Sequence, residues 1–124
     1  MLSGGGGNDQ LAGDRGNDRL AGNVGHDRVN GGAGNDELAG GEGDDFLFAG
    51  TGDDKVDGQE GADTLFGNAG RDRLRGGPGE DFADGSTGQD ECFAEHARSC
   101  VPGIDFFIFI KNFKPAPPAV IVCP

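Results

Sequence analysis

The stretch GGAGNDELA, residues 31–39, combines three glycines, an aspartate and a leucine within nine positions. Closely similar stretches follow one another along most of the 124-residue chain. With Gly4 taken as position 1, a step of nine residues gives ten consecutive repeats, which end at Phe93 without an insertion or deletion. A fixed internal period indicates a repeat architecture, in which each unit buries its apolar face against its neighbours.

Four positions of the nonapeptide define the pattern. Position 4 is always Gly, and position 1 is Gly in every repeat except the sixth, where it is Ala49. Position 8 is aliphatic through eight repeats and then becomes Ala83 and Cys92. Position 6 is always Asp, at Asp9, Asp18, Asp27, Asp36, Asp45, Asp54, Asp63, Asp72, Asp81 and Asp90. Gly-rich acidic chains are often disordered, but disorder does not require an Asp and an apolar residue at fixed phase. Collagen is excluded because position 7 is never Gly.

The repeat predicts a turn followed by a short strand. Positions 1–6 are rich in Gly, Asn and Asp, which tolerate positive φ. Positions 7–9 suit a three-residue strand whose position-8 side chain points inward. Two repeats would form one coil, and coils would stack at ~4.8 Å. The sequence therefore predicts an all-β fold, a right-handed parallel β-roll of about five coils, over residues 1–93. Residues 94–124 leave the pattern and are predicted to form an irregular tail or cap.

The pattern GGxGxDxUx resembles the RTX, or hemolysin-type, calcium-binding nonapeptide repeat, over residues 4–93. The resemblance implies that each calcium ion lies between the loops of repeats n and n+2. One loop would supply the carbonyls of positions 2 and 4, the other those of positions 1 and 3, and both loops their Asp. Ten repeats make eight such pairs, so the resemblance implies up to eight Ca²⁺ ions.

Carried onto this chain, the resemblance places one site between the second and fourth repeats, with the carboxylates of Asp18 and Asp36. The next site on that side would share Asp36 and add Asp54. The chemistry is suitable, because Ca²⁺ takes six to eight oxygen ligands and accepts both carboxylates and carbonyls. Gln59, at position 2, is the least comfortable residue where φ must be positive. The backbone carbonyls expected to take part include Asp14, Gly16, Gly31, Ala33, Gly34 and Gly52.

The charge balance has two consequences. The formal net charge is −12, so phosphate groups would be repelled, and nucleic acid is not expected as a partner. Stacked coils would also align the aspartates in two columns of like charge, so the calcium-free roll is expected to be unstable. Calcium binding should then be coupled to folding, as in other small metal-dependent domains.

The two outer faces of the predicted roll differ in composition. Even repeats carry charges of mixed sign at position 7, which indicates a solvated face. Odd repeats carry four Phe side chains, which predict either a docking surface or a surface covered by the tail through residues 106–110. These side chains are Phe46, Phe48, Phe66 and Phe82.

The cysteines leave two alternatives open. Cys92, His96 and Cys100 are spaced by four residues, which on a helix would place them on one side, and a zinc site would need a fourth ligand such as Cys123. A Cys92–Cys100 disulfide in an exported protein would instead leave Cys123 unpaired. His26 lies at a variable turn position and is expected to be exposed.

The sequence favours a binding module over an enzyme. It contains no HExxH or GxSxG motif and no transmembrane run, and its N-terminus does not resemble a secretory signal peptide. The main hypothesis is a secreted, extracellular protein, exported by a bacterial route, that folds when it meets calcium. The alternatives are a C-terminal fragment of a larger RTX exoprotein, such as a protease, lipase or cytolysin, and an adhesive surface module.

Overall fold

The computed structural model describes residues 1–94, 96–98 and 120–122, and every regular element among them is a strand. The thirteen strands are β1 (Leu2–Gly6), β2 (Gln10–Ala12), β3 (Arg19–Val24), β4 (Arg28–Ala33), β5 (Glu37–Glu42), β6 (Phe46–Thr51), β7 (Lys55–Glu60), β8 (Thr64–Ala69), β9 (Arg73–Arg75), β10 (Phe82–Asp84), β11 (Glu91–Phe93), β12 (His96–Arg98) and β13 (Val120–Val122). The described part of the chain has no helix long and apolar enough to cross a membrane.

The strands form two facing sheets. The first sheet has the order β1-β3-β5-β7-β9-β11-β13, and the second has the order β12-β10-β8-β6-β4-β2. Within the repeats every pairing is parallel and joins residues 18 positions apart, so Leu20 pairs with Leu38 and Leu38 with Val56. One coil therefore contains two repeats, and the predicted all-β parallel solenoid of about five coils is confirmed.

The central strands are longer than the sequence predicted. Strands β3 to β8 have six residues each, whereas positions 7–9 alone would give three. The extra length arises because positions 2 and 3 pair with the same positions of the next coil, as in Gly32 with Gly50. The pairing also begins before the first full repeat, since Leu2 pairs with Leu20. The turn is thus confined to positions 4–6.

The core lies between the two sheets and is built from position 8, as predicted. These side chains are at most 3% exposed, namely Leu20, Val29, Leu38, Leu47, Val56, Leu65, Leu74, Ala83 and Cys92. Leu11, in the first coil, is only partly buried against this cluster. Ala49 and Ala94 join the same core although neither is a position-8 residue. The core is therefore built mainly from one position-8 side chain of each strand from β3 to β11, with Ala49 and Ala94 added to it.

The strand pairing at the C-terminal end of the roll departs from the regular pattern. In β12, His96 pairs with Phe82, a separation of 14 residues instead of 18, so the last turn is four residues shorter than the others. β13 joins the first sheet antiparallel to β11, whereas every other pairing is parallel. Both strands lie within the segment predicted as an irregular tail, and they extend the two sheets. Residues 106–110, which were predicted to cover the Phe side chains, lie outside the described residues.

The outer surfaces of the two sheets carry different ladders. On the first sheet, the carboxylate of Glu37 lies 2.7 Å from Arg19 Nε and 3.8 Å from Lys55 Nζ. These side chains are mostly exposed, and such ion pairs contribute little to stability.

On the second sheet the aromatic rings stack along the roll axis. The Phe48 and Phe66 rings are 5.2 Å apart and nearly parallel, and the Phe66 and Phe82 rings are 6.1 Å apart and tilted. We refer to Phe48, Phe66 and Phe82 as the aromatic column. Phe46 is more exposed, with the guanidinium group of Arg28 5.6 Å from its ring centre. The predicted four-Phe surface is thus brought together, and three of its members are half-buried against one another.

Candidate metal centres

The loops of the roll depend on glycine at position 4. Gly34 has φ of 126°, and a Cβ atom there would run into the carbonyl oxygen of Gly16 in the coil below. Both the backbone conformation and the close approach of the coils therefore require Gly. Position 2 also has positive φ, including at its non-glycine residues, whose φ lies between 65° and 81°: Asp14, Asn23, Gln59, Asn68 and Ser86.

The position-6 aspartates are arranged in two columns. In each column the backbone N–H of one Asp donates to Oδ1 of the Asp 18 residues later, as from Asp18 to Asp36 at 2.8 Å and from Asp36 to Asp54 at 2.7 Å. The same bond, 2.7–3.0 Å long, links all eight pairs of repeats n and n+2. The structure thus brings the ten predicted aspartates together pair by pair. From Asp27 to Asp90 they are at most 1% exposed, while Asp9 and Asp18, in the first coil, are half-buried.

The second oxygen of these carboxylates, Oδ2, differs from Oδ1 in its hydrogen bonding. Among the described residues, the Oδ2 atom is buried and has no hydrogen-bond partner in Asp9, Asp18, Asp27, Asp36, Asp45, Asp54, Asp63, Asp72 and Asp90. A buried carboxylate oxygen without a partner is costly, because it has lost its water and gained nothing in exchange. A cation in the loop would supply the missing partner.

Position 1 keeps space free in front of these oxygens. A Cβ atom on Gly13 would lie 2.6 Å from the Gly31 carbonyl oxygen and 2.8 Å from Asp18 Oδ2. One on Gly31 would lie 2.6 Å from both the Ala49 carbonyl oxygen and Asp36 Oδ2. A carboxylate oxygen and a carbonyl oxygen of the next coil therefore converge on a space that a side chain would fill. This donor set fits Ca²⁺, which binds hard oxygen ligands at ~2.3–2.6 Å.

Comparison with known families decides the identity of these loops. The family model of the RTX calcium-binding nonapeptide repeat, which spans four copies, matches residues 3–38, 21–56, 30–65 and 57–92. Together the matches cover more than half of the chain. The chain belongs to the RTX calcium-binding nonapeptide repeat family. No curated protein and no solved structure matches it.

The predicted carbonyls of the RTX loops take part in contacts between successive coils. Between the second and fourth repeats, the Asp14 carbonyl accepts the Ala33 N–H at 2.7 Å, and the Ala33 carbonyl accepts the Gly16 N–H at 2.8 Å. Each carbonyl has two lone pairs, so one such bond leaves a second acceptor direction. The carbonyls of Gly16 and Gly34 each lie beneath position 4 of the following coil.

An RTX site in this chain has to combine side chains with backbone. Within the described residues, no group of three or more His, Cys, Asp or Glu side chains is placed to hold a metal. Each pair of loops brings only two aspartates together, at position 6. The remaining oxygens of a six- to eight-coordinate ion would therefore come mainly from loop carbonyls.

The electrostatics of the columns oppose ionisation in the absence of a cation. Burial raises the pKa of Asp72 to about 8, and repulsion by Asp90 and Asp54 adds to this shift. Burial likewise raises the pKa of Asp63 and Asp90 to about 6. The pKa of Asp45 is also raised by burial. At these aspartates burial therefore opposes the ionised form, and a nearby positive charge would favour it.

Sequence reasoning missed a second ladder, at position 5. The Asn8 side chain accepts the His26 N–H at 2.9 Å, His26 Nδ1 accepts the Asp44 N–H at 2.9 Å, and Asp44 accepts the Ala62 N–H at 2.9 Å. On the other edge Asn35 accepts the Asp53 N–H at 2.9 Å. His26 is exposed, as expected, but it also joins two coils. The frequent Asn and Asp at position 5 were the available signal.

The two cysteine alternatives are not resolved by the described residues. Cys92 is buried in the core as a position-8 residue, and burial raises the pKa of its thiol to about 12. His96 begins strand β12. Cys100 and Cys123, which the zinc and disulfide hypotheses need, lie outside the described residues, so both hypotheses stay predictions.

Proposed function

We propose that this chain binds calcium between the RTX loops of successive coils, and that binding makes the roll its stable folded state. The observation that carries the proposal is the row of paired aspartates whose Oδ2 atoms are buried and lack a partner among the described residues. Such carboxylates are unfavourable alone and favourable beside a divalent cation. The family membership supports calcium as that cation.

The proposal extends to stoichiometry and domain organisation. Eight pairs of loops offer up to eight positions for Ca²⁺. The ligands would be the position-6 aspartates, from Asp9 to Asp90, and the loop carbonyls. Residues 1–93 would act as the calcium-folded roll and residues 94–124 as its tail or cap. Because cation and fold stabilise each other, calcium binding and folding should occur in one coupled transition.

The biological setting follows from this coupling. We propose that the chain is secreted and reaches its folded state in a calcium-rich extracellular medium. The roll would then serve as a scaffold and not as a catalyst. The four-Phe surface as a docking site stays a prediction, and so does the absence of a nucleic-acid partner.

Far-UV circular dichroism during a calcium titration tests the proposal, with magnesium as the control. We expect a cooperative transition to β structure near ~10⁻⁴–10⁻³ M calcium, the range of extracellular calcium modules. Magnesium should be much less effective, because it demands a regular octahedron and retains its water. A chain that is equally β-structured in chelator, or that stays disordered in ten millimolar calcium, contradicts the proposal.

A further inference from the structure

Ala49 is the one residue that replaces Gly at position 1 of the ten repeats. Its side chain is fully buried and belongs to the apolar core. We infer that the Ala49 methyl group occupies the cation position between the loops of the sixth and eighth repeats, so that this pair holds no calcium. The inference rests on the proposed function. It adds that the row of calcium positions along the column from Asp18 to Asp90 is interrupted at this pair of loops.

The geometry of the other repeats locates the position that the methyl group takes. A Cβ atom on any of the eight position-1 glycines from Gly4 to Gly76 would lie no more than 2.8 Å from the Oδ2 atom of its own loop. At five of them the carbonyl oxygen of the next coil would also lie within 2.7 Å. These five glycines stand on both sides of Ala49 in the sequence: Gly13, Gly22, Gly31, Gly40 and Gly58.

A Cβ atom essentially never lies within 3.0 Å of a heavy atom to which it is not bonded, so one of the two must shift. In the sixth repeat the corresponding oxygens are Asp54 Oδ2 and the Gly67 carbonyl. A methyl group placed between them offers no lone pair and excludes an ion from the same volume. The two oxygens can neither converge there nor share a cation.

The coils around Ala49 nevertheless stay in register. Asp54 Oδ1 accepts the Asp36 N–H at 2.7 Å, and the Asp54 N–H donates to Asp72 Oδ1 at 3.0 Å. The carbonyl of Ala49 also keeps its place 2.6 Å from the Cβ position of Gly31, where it faces the preceding pair of loops. The substitution therefore removes one position and leaves the adjoining positions intact.

The two columns consequently differ. The column from Asp9 to Asp81 retains its four pairs in an unbroken series. The column from Asp18 to Asp90 is divided after its second pair, with one pair beyond the break. We expect the wild-type chain to bind at most seven calcium ions instead of eight.

Native mass spectrometry of the calcium-saturated full chain counts the bound ions directly. We expect Ala49→Gly to bind one ion more than wild type, and Gly31→Ala, which introduces the same methyl group in the same column, to bind one ion fewer. Ala39→Gly, at an outward position of β5 in the first sheet, controls for the loss of a methyl group away from the loops and should leave the count unchanged.

The outcomes separate the two proposals. If wild type binds calcium and Ala49→Gly binds the same number of ions, the inference is overturned and the proposed function stands. If wild type binds no calcium, the proposed function fails, and the inference fails with it. Gly31→Ala is a second arm only, so poor folding of that variant leaves the Ala49→Gly comparison decisive.

Discussion

At the scale of single residues, each position-6 aspartate has two separate tasks. From Asp27 onward its Oδ1 atom accepts a backbone N–H of the coil below, and its Oδ2 atom faces the space beside position 1. A central residue such as Asp36 belongs to two pairs of loops, whereas Asp9 belongs to one. Replacing a central aspartate should therefore weaken calcium binding more than replacing one at the end of a column.

Asp36→Asn should raise the calcium concentration at the folding midpoint by about tenfold, equivalent to ~1.4 kcal/mol. The amide oxygen can still accept the Asp18 N–H, so the change removes charge without removing the hydrogen bond. Asp9→Asn, at the half-exposed first coil, is the matched control and should shift the midpoint less. Calcium titrations followed by circular dichroism measure both midpoints, and equal shifts would contradict the shared role of Asp36.

Position 2 shows how the chain accommodates side chains where φ is positive. Gln59 has φ of 73°, and its N–H donates to Asp57 Oδ1 at 3.2 Å. Ser86, with φ of 65°, has the same arrangement with Asp84 at 2.9 Å. An Asp two residues earlier thus supports the left-handed conformation, as in an Asx turn.

Gln59→Gly should stabilise the calcium-loaded roll by roughly 0.5–1 kcal/mol. Release from the left-handed region gains ~1–2 kcal/mol, and the flexibility of Gly in the unfolded chain takes back ~0.5–1 kcal/mol. Asn68→Gly is the control and should gain less, because Asn tolerates positive φ. Urea unfolding at fixed calcium gives both values, and a destabilised Gln59→Gly variant would show that the Gln side chain makes a compensating contact.

At the scale of strands and ladders, stability depends on repetition along the roll axis. In the second sheet Phe48 pairs directly with Phe66, whereas Phe82 pairs with Thr64 and meets the Phe66 ring diagonally. For the aromatic column this produces ring contacts between coils, which neither coil could make alone. Such contacts should be coupled energetically, unlike the exposed ion pairs of the first sheet.

A double-mutant cycle on Phe48→Ala and Phe66→Ala should give a coupling energy of about 0.5–1.5 kcal/mol, the usual value for a stacked pair. A parallel cycle on Arg19→Ala and Glu37→Ala should give less than about 0.5 kcal/mol, because that pair is exposed. Urea unfolding in saturating calcium measures the free energy of unfolding for each variant. A larger coupling for the ion pair than for the rings would reverse this ranking.

At the scale of the whole molecule, we expect the buried aspartates to make the pH dependence of folding opposite in sign with and without calcium. In the unfolded chain these carboxyls titrate near their ordinary pKa of 3.8, whereas burial raises the pKa of Asp63 to about 6 and of Asp72 to about 8. The folded state therefore binds more protons than the unfolded state between these values. Stability of the calcium-free roll must fall as pH rises through this window.

In chelator we expect more β structure at pH 5 than at pH 8.5, with the loss spread across the range between about 5 and about 8. In calcium the order should reverse, because protons compete with the cation for the same carboxylates. Circular dichroism across this range, with and without calcium, measures both trends. A calcium-free signal that grows with pH would contradict the raised pKa values.

The sequence predicts the solenoid well because its signals are local and repeated in every turn. The inward position-8 residues and the pairing of Asp18 with Asp36 both follow from the nine-residue period. The six-residue strands were missed because Gly at positions 1 and 2 suggests a turn, while the neighbouring coil provides a ladder partner for Gly32. The effect inferred for Ala49 could not be predicted from the sequence, because it depends on where a Cβ atom at position 1 would lie. Only the structure shows, at Gly13 and Gly31, that this point is beside an Asp Oδ2 atom and a carbonyl oxygen of the next coil.

The separation of 18 residues between paired positions also limits which insertions and deletions the roll can accept. Excision of residues 40–57 would join Ala39 to Gly58, and every later side chain would keep its own sheet. Excision of only nine residues would move Phe66 and Phe82 onto the sheet that carries Arg19 and Glu37. Duplications and deletions should therefore be tolerated in even numbers of repeats. The unit of change in length would be the 18-residue coil, although the sequence pattern repeats every nine residues.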